Sequence, residues 1–387
     1  MNVSFFIASR LKFKGRLVAV SIAVSYLVMI IAVAVSAGFR AEIRKGLSEV
    51  CGDVQIVPQN QGYLDGSSPL KSDLSYLADI EGIEAVDKVV PVVYRAGIVR
   101  NEGNIQGVLF KGLPSEDTVA LGVSIPRRLS EITSIGEGDR MLAYFVGDKV
   151  RMRQFNVVSV YDALVEADDK LVVYASLSDL QRLNGWTPDQ VSSLEVILDP
   201  SCKDEDNMLD VAGEIGHLAY AGATDSDDPV YVTSAVSRYP QLFDWLGLID
   251  FNVLFILILM TIVAGFNMIS GLLIMLFENI STIGILKSLG MTDRSISAVF
   301  LSSSAVLVLK GMAAGNILAI LFCVLQNATH LIRLNPENYF VSFVPVRINP
   351  GMVLAADLAS FVVIMLLLLI PCLFISKVDP ARTVRVR

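Results

Sequence analysis

Histidine is nearly missing from this chain: His217 and His330 are the only two in 387 residues, and cysteine is limited to four. Neither histidine has a Cys or His neighbour at ligand spacing, so the pattern that builds a zinc site is absent. Four cysteines define no disulfide framework. Cys51 and Cys202 fall in one compartment, which leaves their pairing open, whereas Cys323 and Cys372 lie inside apolar runs and read as small apolar fillers. An excess of cations is lacking too: 31 Lys and Arg face 39 Asp and Glu, a net charge of −8. Without clustered cations the chain has no electrostatic footprint for nucleic acid. No GxxxxGK[ST] run occurs, so the chain does not bind and hydrolyse ATP in the P-loop way. Asp204, Glu205 and Asp206 lack the loop glycine and spacing of a calcium site and read as a solvated helix start. Asp225, Asp227 and Asp228, before Pro229, read as a solvated turn. No catalytic residue and no metal ligand is assigned.

What the chain has in quantity is apolar sequence, 53% of its residues. A bilayer core takes about 20 residues as a helix, and four runs meet that length: 17–37, 246–276, 296–325 and 351–375. The first has no charge and no proline and follows Arg10, Lys12, Lys14 and Arg16. It exceeds the apolar core of a signal peptide, and Gly38-Phe39-Arg40 is no small-x-small cleavage site, so it is expected to stay in place as a span. The other three carry one charge each, Asp250, Lys310 and Asp357. Core helices of soluble proteins seldom run this long without a polar face. At roughly 1.5 Å per residue, 246–276 outruns the bilayer, and its first turns are expected in water.

Charge divides along the same lines. The stretch 38–245 holds 33 acidic and 18 basic residues, while the rest holds 6 and 13, so the two parts face different solvents. Four spans put both termini on one side. The segment 1–16 carries four Lys and Arg, the loop 277–295 two, and the tail 376–387 four, but the loop 326–350 only Arg333 and Arg347. Positive-inside bias therefore predicts cytoplasmic termini and middle loop, with 38–245 and 326–350 on the outer side.

Within 38–245, strand-like runs are expected at Asp53–Val57, Val86–Val93, Ile105–Phe110, Lys149–Met152, Asn156–Tyr161, Leu171–Tyr174 and Leu194–Leu198. Helical patches at Ser72–Asp79, Arg127–Ile132, Ser176–Asn184 and Asp204–Leu218 alternate with them. The pattern reads as an α+β domain with a subdomain inserted at about 115–186. The fold class is a membrane protein of four transmembrane α-helices with this large extracytoplasmic domain between helices 1 and 2.

Between the second and third spans, Ile280, Ile283, Leu286 and Leu289 recur at three-residue intervals and predict a short helix with one apolar stripe, ended by Gly290 in a left-handed cap. Such a helix either lies on the membrane surface or docks in a groove of another protein. Lys310, alone in its span, is expected to be paired or functional, with Asp357 as the candidate partner and snorkelling as the alternative.

Glu278 to Met291, followed by Arg294, Ile296 and Phe300, resembles the coupling segment of permeases of the lipoprotein-releasing (LolC/LolE) ABC transporters, whose superfamily includes the MacB efflux pump and the FtsX division permease. Phe6-Ile7-Ala8-Ser9-Arg10 resembles that family's start, Gly38 to Ile43 its first-span exit, and Gly311 and Gly315 the GxxxG spacing of its third span. Tyr339 to Val346 is similar to its YYLSYLPV-like segment, Asp379-Pro380-Ala381 with Arg385 to its terminal DPAxALR, and Gly138-Asp139 with Phe155 to Tyr161 to its GD…FxVVGIF stretch. Lys310 and Ser303-Ser304 depart from the family pattern.

The resemblance implies a permease subunit, not an enzyme, in the bacterial inner membrane. It assigns Glu278, Ile280, Ile283, Gly284, Leu286, Lys287, Gly290 and Met291 to coupling with an ABC ATPase, present in two copies and carrying the ATP and magnesium; no cofactor is expected on this chain. A second permease subunit, identical or homologous, a lipoprotein substrate, a periplasmic lipoprotein carrier and membrane lipid complete the implied partners, and ATP-driven closure acts by mechanotransmission. Met29, Val33, Ala37 and Phe39 at the end of span one, with Phe243, Leu246, Phe251 and Phe255 at the outer part of span two, are expected to line a lateral cavity for acyl chains, because apolar surface continuing past the bilayer edge marks a binding site. A MacB-like efflux permease, an FtsX-like regulator of cell-wall hydrolases and a ligand-sensing membrane receptor are the rival readings.

Overall fold

The computed structural model describes residues 16–59, 66, 68–101, 103–114, 120–147, 150–163, 171–224, 227–335, 339 and 341–373. The motifs expected at 6–10 and 379–385, and the cationic segments 1–15 and 376–387, lie outside them. In chain order the helices and strands are α1 (Arg16–Cys51), β1 (Val54–Pro58), β2 (Leu70–Lys71), α2 (Leu77–Glu81), β3 (Val86–Asn101), β4 (Asn104–Leu113), β5 (Gly122–Pro126), α3 (Arg127–Thr133), β6 (Arg140–Phe145), β7 (Arg151–Tyr161), β8 (Leu171–Ser176), α4 (Leu177–Asn184), β9 (Gln190–Val191), β10 (Ser193–Leu198), α5 (Glu205–Gly222), β11 (Val230–Ser234), α6 (Ala235–Arg238), α7 (Pro240–Glu278), α8 (Ile280–Ser288), α9 (Asp293–Thr329), α10 (Pro350–Leu367) and α11 (Leu369–Cys372). They form two units, one of Met1–Arg40, Leu246–Arg333 and Phe343–Arg387, the other of Ala41–Trp245 and Leu334–Ser342.

The first unit contains the four helical segments long and apolar enough to cross a membrane, which run through α1, α7, α9 and α10–α11. Lipid tails are as apolar as leucine, so such helices are held by close packing and polar contacts rather than by the hydrophobic effect. Small residues supply the packing. A Cβ added at Gly315 of α9 would lie 2.5 Å from the Ala23 carbonyl oxygen of α1, and one at Gly311 would lie 2.7 Å from Ile22. Through these approaches α1 becomes the centre of the bundle, with Ile22, Tyr26, Met29, Ile30 and Ala34 all buried. Polar contacts tie it to its neighbours: Asn267 Nδ2 donates to Ser21 Oγ at 2.5 Å, Ser360 Oγ to the Tyr26 hydroxyl at 3.0 Å, and Ser36 Oγ to Asp250 Oδ1 at 2.6 Å. Arg40 forms an ion pair with Asp250.

The fourth span is interrupted. Asn349 caps α10 by accepting from Gly351 N at 3.0 Å and Met352 N at 3.4 Å, with Pro350 in the first turn. α10 ends at Leu367, four residues before Pro371, whose ring excludes the carbonyl of residue i−4 from a regular turn.

In the second unit nine strands run in the order β11-β1-β10-β3-β4-β8-β5-β7-β6. β3 also pairs with β6 through Ile98 with Tyr144 and Val99 with Ala143, which closes β3-β4-β8-β5-β7-β6 into a ring. Its interior is filled by apolar side chains from Val93 to Leu183 around Phe110, Phe145 and Phe155, whose ring centroids lie 5.0 to 6.2 Å apart. The insertion expected at about 115–186 therefore starts too late: β3 and β4 supply two walls of this core, and long strands that cross both parts hide the boundary. β2, β5, β6, β9 and β11 were not expected from the sequence. Cys51 and Cys202 are free thiols.

A buried charge pair joins this sheet to the end of α1. Lys111 and Glu195 are 1% and 2% exposed, and Lys111 Nζ lies 2.8 Å from Glu195 Oε2. The same ammonium donates to the carbonyls of Glu49 at 2.7 Å and Val50 at 3.1 Å, two of the orphan acceptors at the helix C-terminus, where the dipole favours a cation. Tyr94 donates its hydroxyl proton to Glu195 Oε1. Burial first, and then the Glu195 carboxylate, hold that phenol well above its ordinary pKa, so it remains a donor.

Two stability predictions follow from these contacts. Gly315→Ala should lower the detergent-solubilised protein's stability by about 1–3 kcal/mol through overpacking, whereas Gly247→Ala, where an added Cβ meets nothing within 4 Å, should not; equal melting temperatures would refute the close-approach account. Lys111→Met should cost about 3–5 kcal/mol by leaving Glu195 buried and unpaired, and adding Glu195→Leu should recover much of the loss. Denaturant unfolding of both variants measures this.

Candidate functional site: the α8 segment and the outward apolar ridge of α7

Asn279 separates α7 from α8. At the far end of α8 the chain closes with two bonds, Gly290 N to Lys287 O at 2.9 Å and Met291 N to Leu286 O at 3.0 Å. Gly290 has φ +86°. This is a Schellman closure with glycine in the left-handed position. Lys287 Nζ then pairs with Asp293 Oδ1, in the first turn of α9, at 2.9 Å.

The single apolar stripe expected on α8 is split by the helix geometry. Three residues turn a helix through about 300°, so a stripe at that spacing slips by about 60° per step. Ile283 and Gly284 point inward, with Ile283 in one apolar cluster with Met275, Ile296 and Phe300. Ile280, Leu286, Lys287 and Met291 are half-buried, and Glu278 and Gly290 are exposed. The outward apolar residues are Phe277, Ile285 and Leu289, at 61%, 53% and 78% exposure. Of these, only Leu289 belonged to the expected stripe, and none was assigned as a site residue. Projection at 100° per residue would have found Ile285. Ile283→Asp should therefore unfold the bundle locally and lower its melting temperature by removing a core side chain, while Ile285→Asp should leave melting within experimental error. A reversed order of melting temperatures would overturn the inward assignment.

The eight residues expected to line one cavity do not share an environment. Met29, Val33, Phe39 and Leu246 are buried and Ala37 is half-buried. Phe243 is buried in the other unit. Phe251 and Phe255 are exposed, at 68% and 60%, and head an outward ridge on α7 that continues through Ile258, Ile262 and Phe266. The physical reason lies in α1: as the central helix it turns its apolar side chains onto the neighbouring spans. The expected pair of Lys310 and Asp357 does not form either, because Asp357 is buried and accepts from Asn316 Nδ2 at 2.6 Å while Lys310 is exposed. Among the described residues no group of three or more His, Cys, Asp or Glu is arranged to hold a metal.

Comparison with known proteins places these features in a family context. Residues 254–380 match the FtsX-like permease C-terminal family. The lipoprotein-releasing system transmembrane protein LolC of Neisseria meningitidis serogroup B is 25% identical over 94% of this chain and 92% of its own. The corresponding LolE of Haemophilus influenzae is 22% identical over 99% of both chains. Among solved structures, the periplasmic region of MacB from Actinobacillus actinomycetemcomitans is similar at 14% identity and a TM-score of 0.31, covering 50% of this chain and 95% of that one. The chain is a multi-pass membrane protein that carries an FtsX-like permease domain and is homologous, over nearly its whole length, to the transmembrane proteins of lipoprotein-releasing systems.

Proposed function

We propose that this chain is the permease subunit of an inner-membrane ABC transporter that lifts lipoproteins from the outer leaflet and passes them to a periplasmic carrier. The observation that carries the reading is the likeness to LolC along 94% of the chain, which spans the membrane helices and the domain between them alike. The physics of the task requires an external energy source, since withdrawing acyl chains from lipid costs about 0.8 kcal/mol per CH₂. The energy comes from two ATPase subunits that bind ATP and magnesium and dock on the outward side of α8. A second permease, identical or homologous, completes the unit. Both termini and α8 face the cytoplasm, and the α+β domain faces the periplasm.

The α7 ridge at Phe251 and Phe255 is the surface on which acyl chains enter from the side. Exposed aromatic side chains over several turns of a spanning helix offer apolar surface without a fixed partner among the described residues.

Purification from native membranes in mild detergent should bring down a P-loop ATPase and a lipoprotein, and Ile285→Asp or Leu289→Asp should release the ATPase while leaving the permease folded. A photo-crosslinker at Phe255 should capture a triacylated lipoprotein without nucleotide and lose it on ATP binding, whereas one at buried Val33 should capture none. Crosslinks from Phe255 to phospholipid only, unchanged by ATP, would defeat the substrate assignment.

A further inference from the structure

Lys310 stands near the middle of α9, with 17 helical residues before it and 19 after it. The sequence is uncharged on both sides, from Ile296 to Leu309 and from Gly311 to Leu325. Sliding the helix to bring Lys310 to the bilayer surface would push one of these runs into water. From the mid-plane the interface is about 15 Å away, and the four-carbon stem of lysine covers well under half of that. Starting from the mid-plane, snorkelling alone does not carry the ammonium to the interface.

The side chain does not turn into the bundle. α9 buries Val308, Gly311, Gly315 and Ala319 on one face, and Lys310 lies on the opposite face with exposed Val306, Ala313, Ala314 and Ile317. At 100° per residue these four positions fall within about 60° of Lys310. Among the described residues no acidic side chain pairs with it. An outward ammonium without an acidic partner, near the middle of a spanning helix, is costly and marks a functional position. Directly beside it Ala313 and Ala314 leave the backbone open to close approach, as at contacts between membrane helices.

We infer that this strip of α9 is the docking surface for a membrane-spanning helix of another protein, one that carries an Asp or Glu at mid-bilayer to pair with Lys310. A second copy of this chain does not fit. Strip-to-strip contact about a two-fold axis would set Lys310 against Lys310. The acidic residues of the copy's own spans are already engaged, Asp250 with Arg40 and Ser36, and Asp357, buried, with Asn316. The surface is separate from the α7 ridge and from α8, so the inference stands whether or not lipoprotein is the substrate.

The test uses the full-length protein in its native membranes with a photo-crosslinking amino acid in place of Ala314. A discrete adduct is expected, identified by mass spectrometry as a different membrane protein with a carboxylate within its span. Its yield should fall at least tenfold in Lys310→Met, which loses only the charge and inserts readily, and persist in Lys310→Arg. Changing the captured protein's carboxylate to its amide should cause the same loss, and exchanging the two charges between the partners should restore the adduct. Adducts confined to lipid or to a second copy of this chain, a captured protein without an intramembrane carboxylate, or a yield indifferent to Lys310→Met would each overturn the proposal.

Discussion

The approach of α9 to α1 at Gly315 sets the terms for the membrane half of this protein. With no room for a methyl group against the Ala23 carbonyl, the two backbones touch, and α1 becomes the element that the other spans pack around. In a bilayer this contact cannot be replaced by generic apolar attraction, because lipid competes equally well for a leucine surface. Surface complementarity and a few polar bonds must do what the hydrophobic effect does in water. The consequence reaches function: Met29 and Val33, apolar and near the expected outer end of the first span, serve as core. The exposed aromatic side chains Phe251, Phe255 and Phe266 stand instead on α7.

Charges inside the spans obey the same constraint in three ways. Asp250 of α7 is held by the Arg40 guanidinium and the Ser36 hydroxyl of α1. Asp357 is buried but receives a hydrogen bond from the amide of Asn316. Lys310 has neither arrangement. Asp250 is satisfied by its own chain, Asp357 is bonded through one oxygen while its Oδ1 is buried without a partner, and Lys310 has no acidic partner among the described residues. Sequence alone singled out Lys310 but offered Asp357 as its partner, because the difference lies in which helix face each occupies relative to neighbours far away along the chain.

What was legible in the sequence were features with a local signature. Uncharged runs marked the spans, Gly290 marked the end of α8, and strand-like runs with turn signals marked β3, β8 and β10. The missed strands show where local signals fail. β6, Arg140–Phe145, buries Met141, Ala143 and Phe145 on one face, but an alanine and an arginine in six residues weaken its β signature. The β3–β6 pairing that closes the ring joins residues about 45 positions apart and leaves no trace in composition. Lys111 and Glu195 were invisible for the same reason. A lysine within a strand reads as a solvated position, and only the fold brings the last carbonyls of α1 to its ammonium.

The α8 segment shows how a correct local reading still yields the wrong surface. Its helix and its glycine closure rest on nearest-neighbour physics and required no knowledge of the bundle. Which side faced out depended on phase. A three-residue repeat drifts around a 3.6-residue helix, so Ile283 and Leu289 cannot occupy one face although both belong to the same repeat. Anchoring settled the phase: the Lys287–Asp293 pair and the burial of Ile283 beside Phe300 fix the rotation of α8 against α9. That rotation leaves Ile285 and Leu289 outward. Ile285 and Leu289 therefore stay in the open although both are large and apolar, because the orientation of α8 is fixed from within by contacts that neither of them makes.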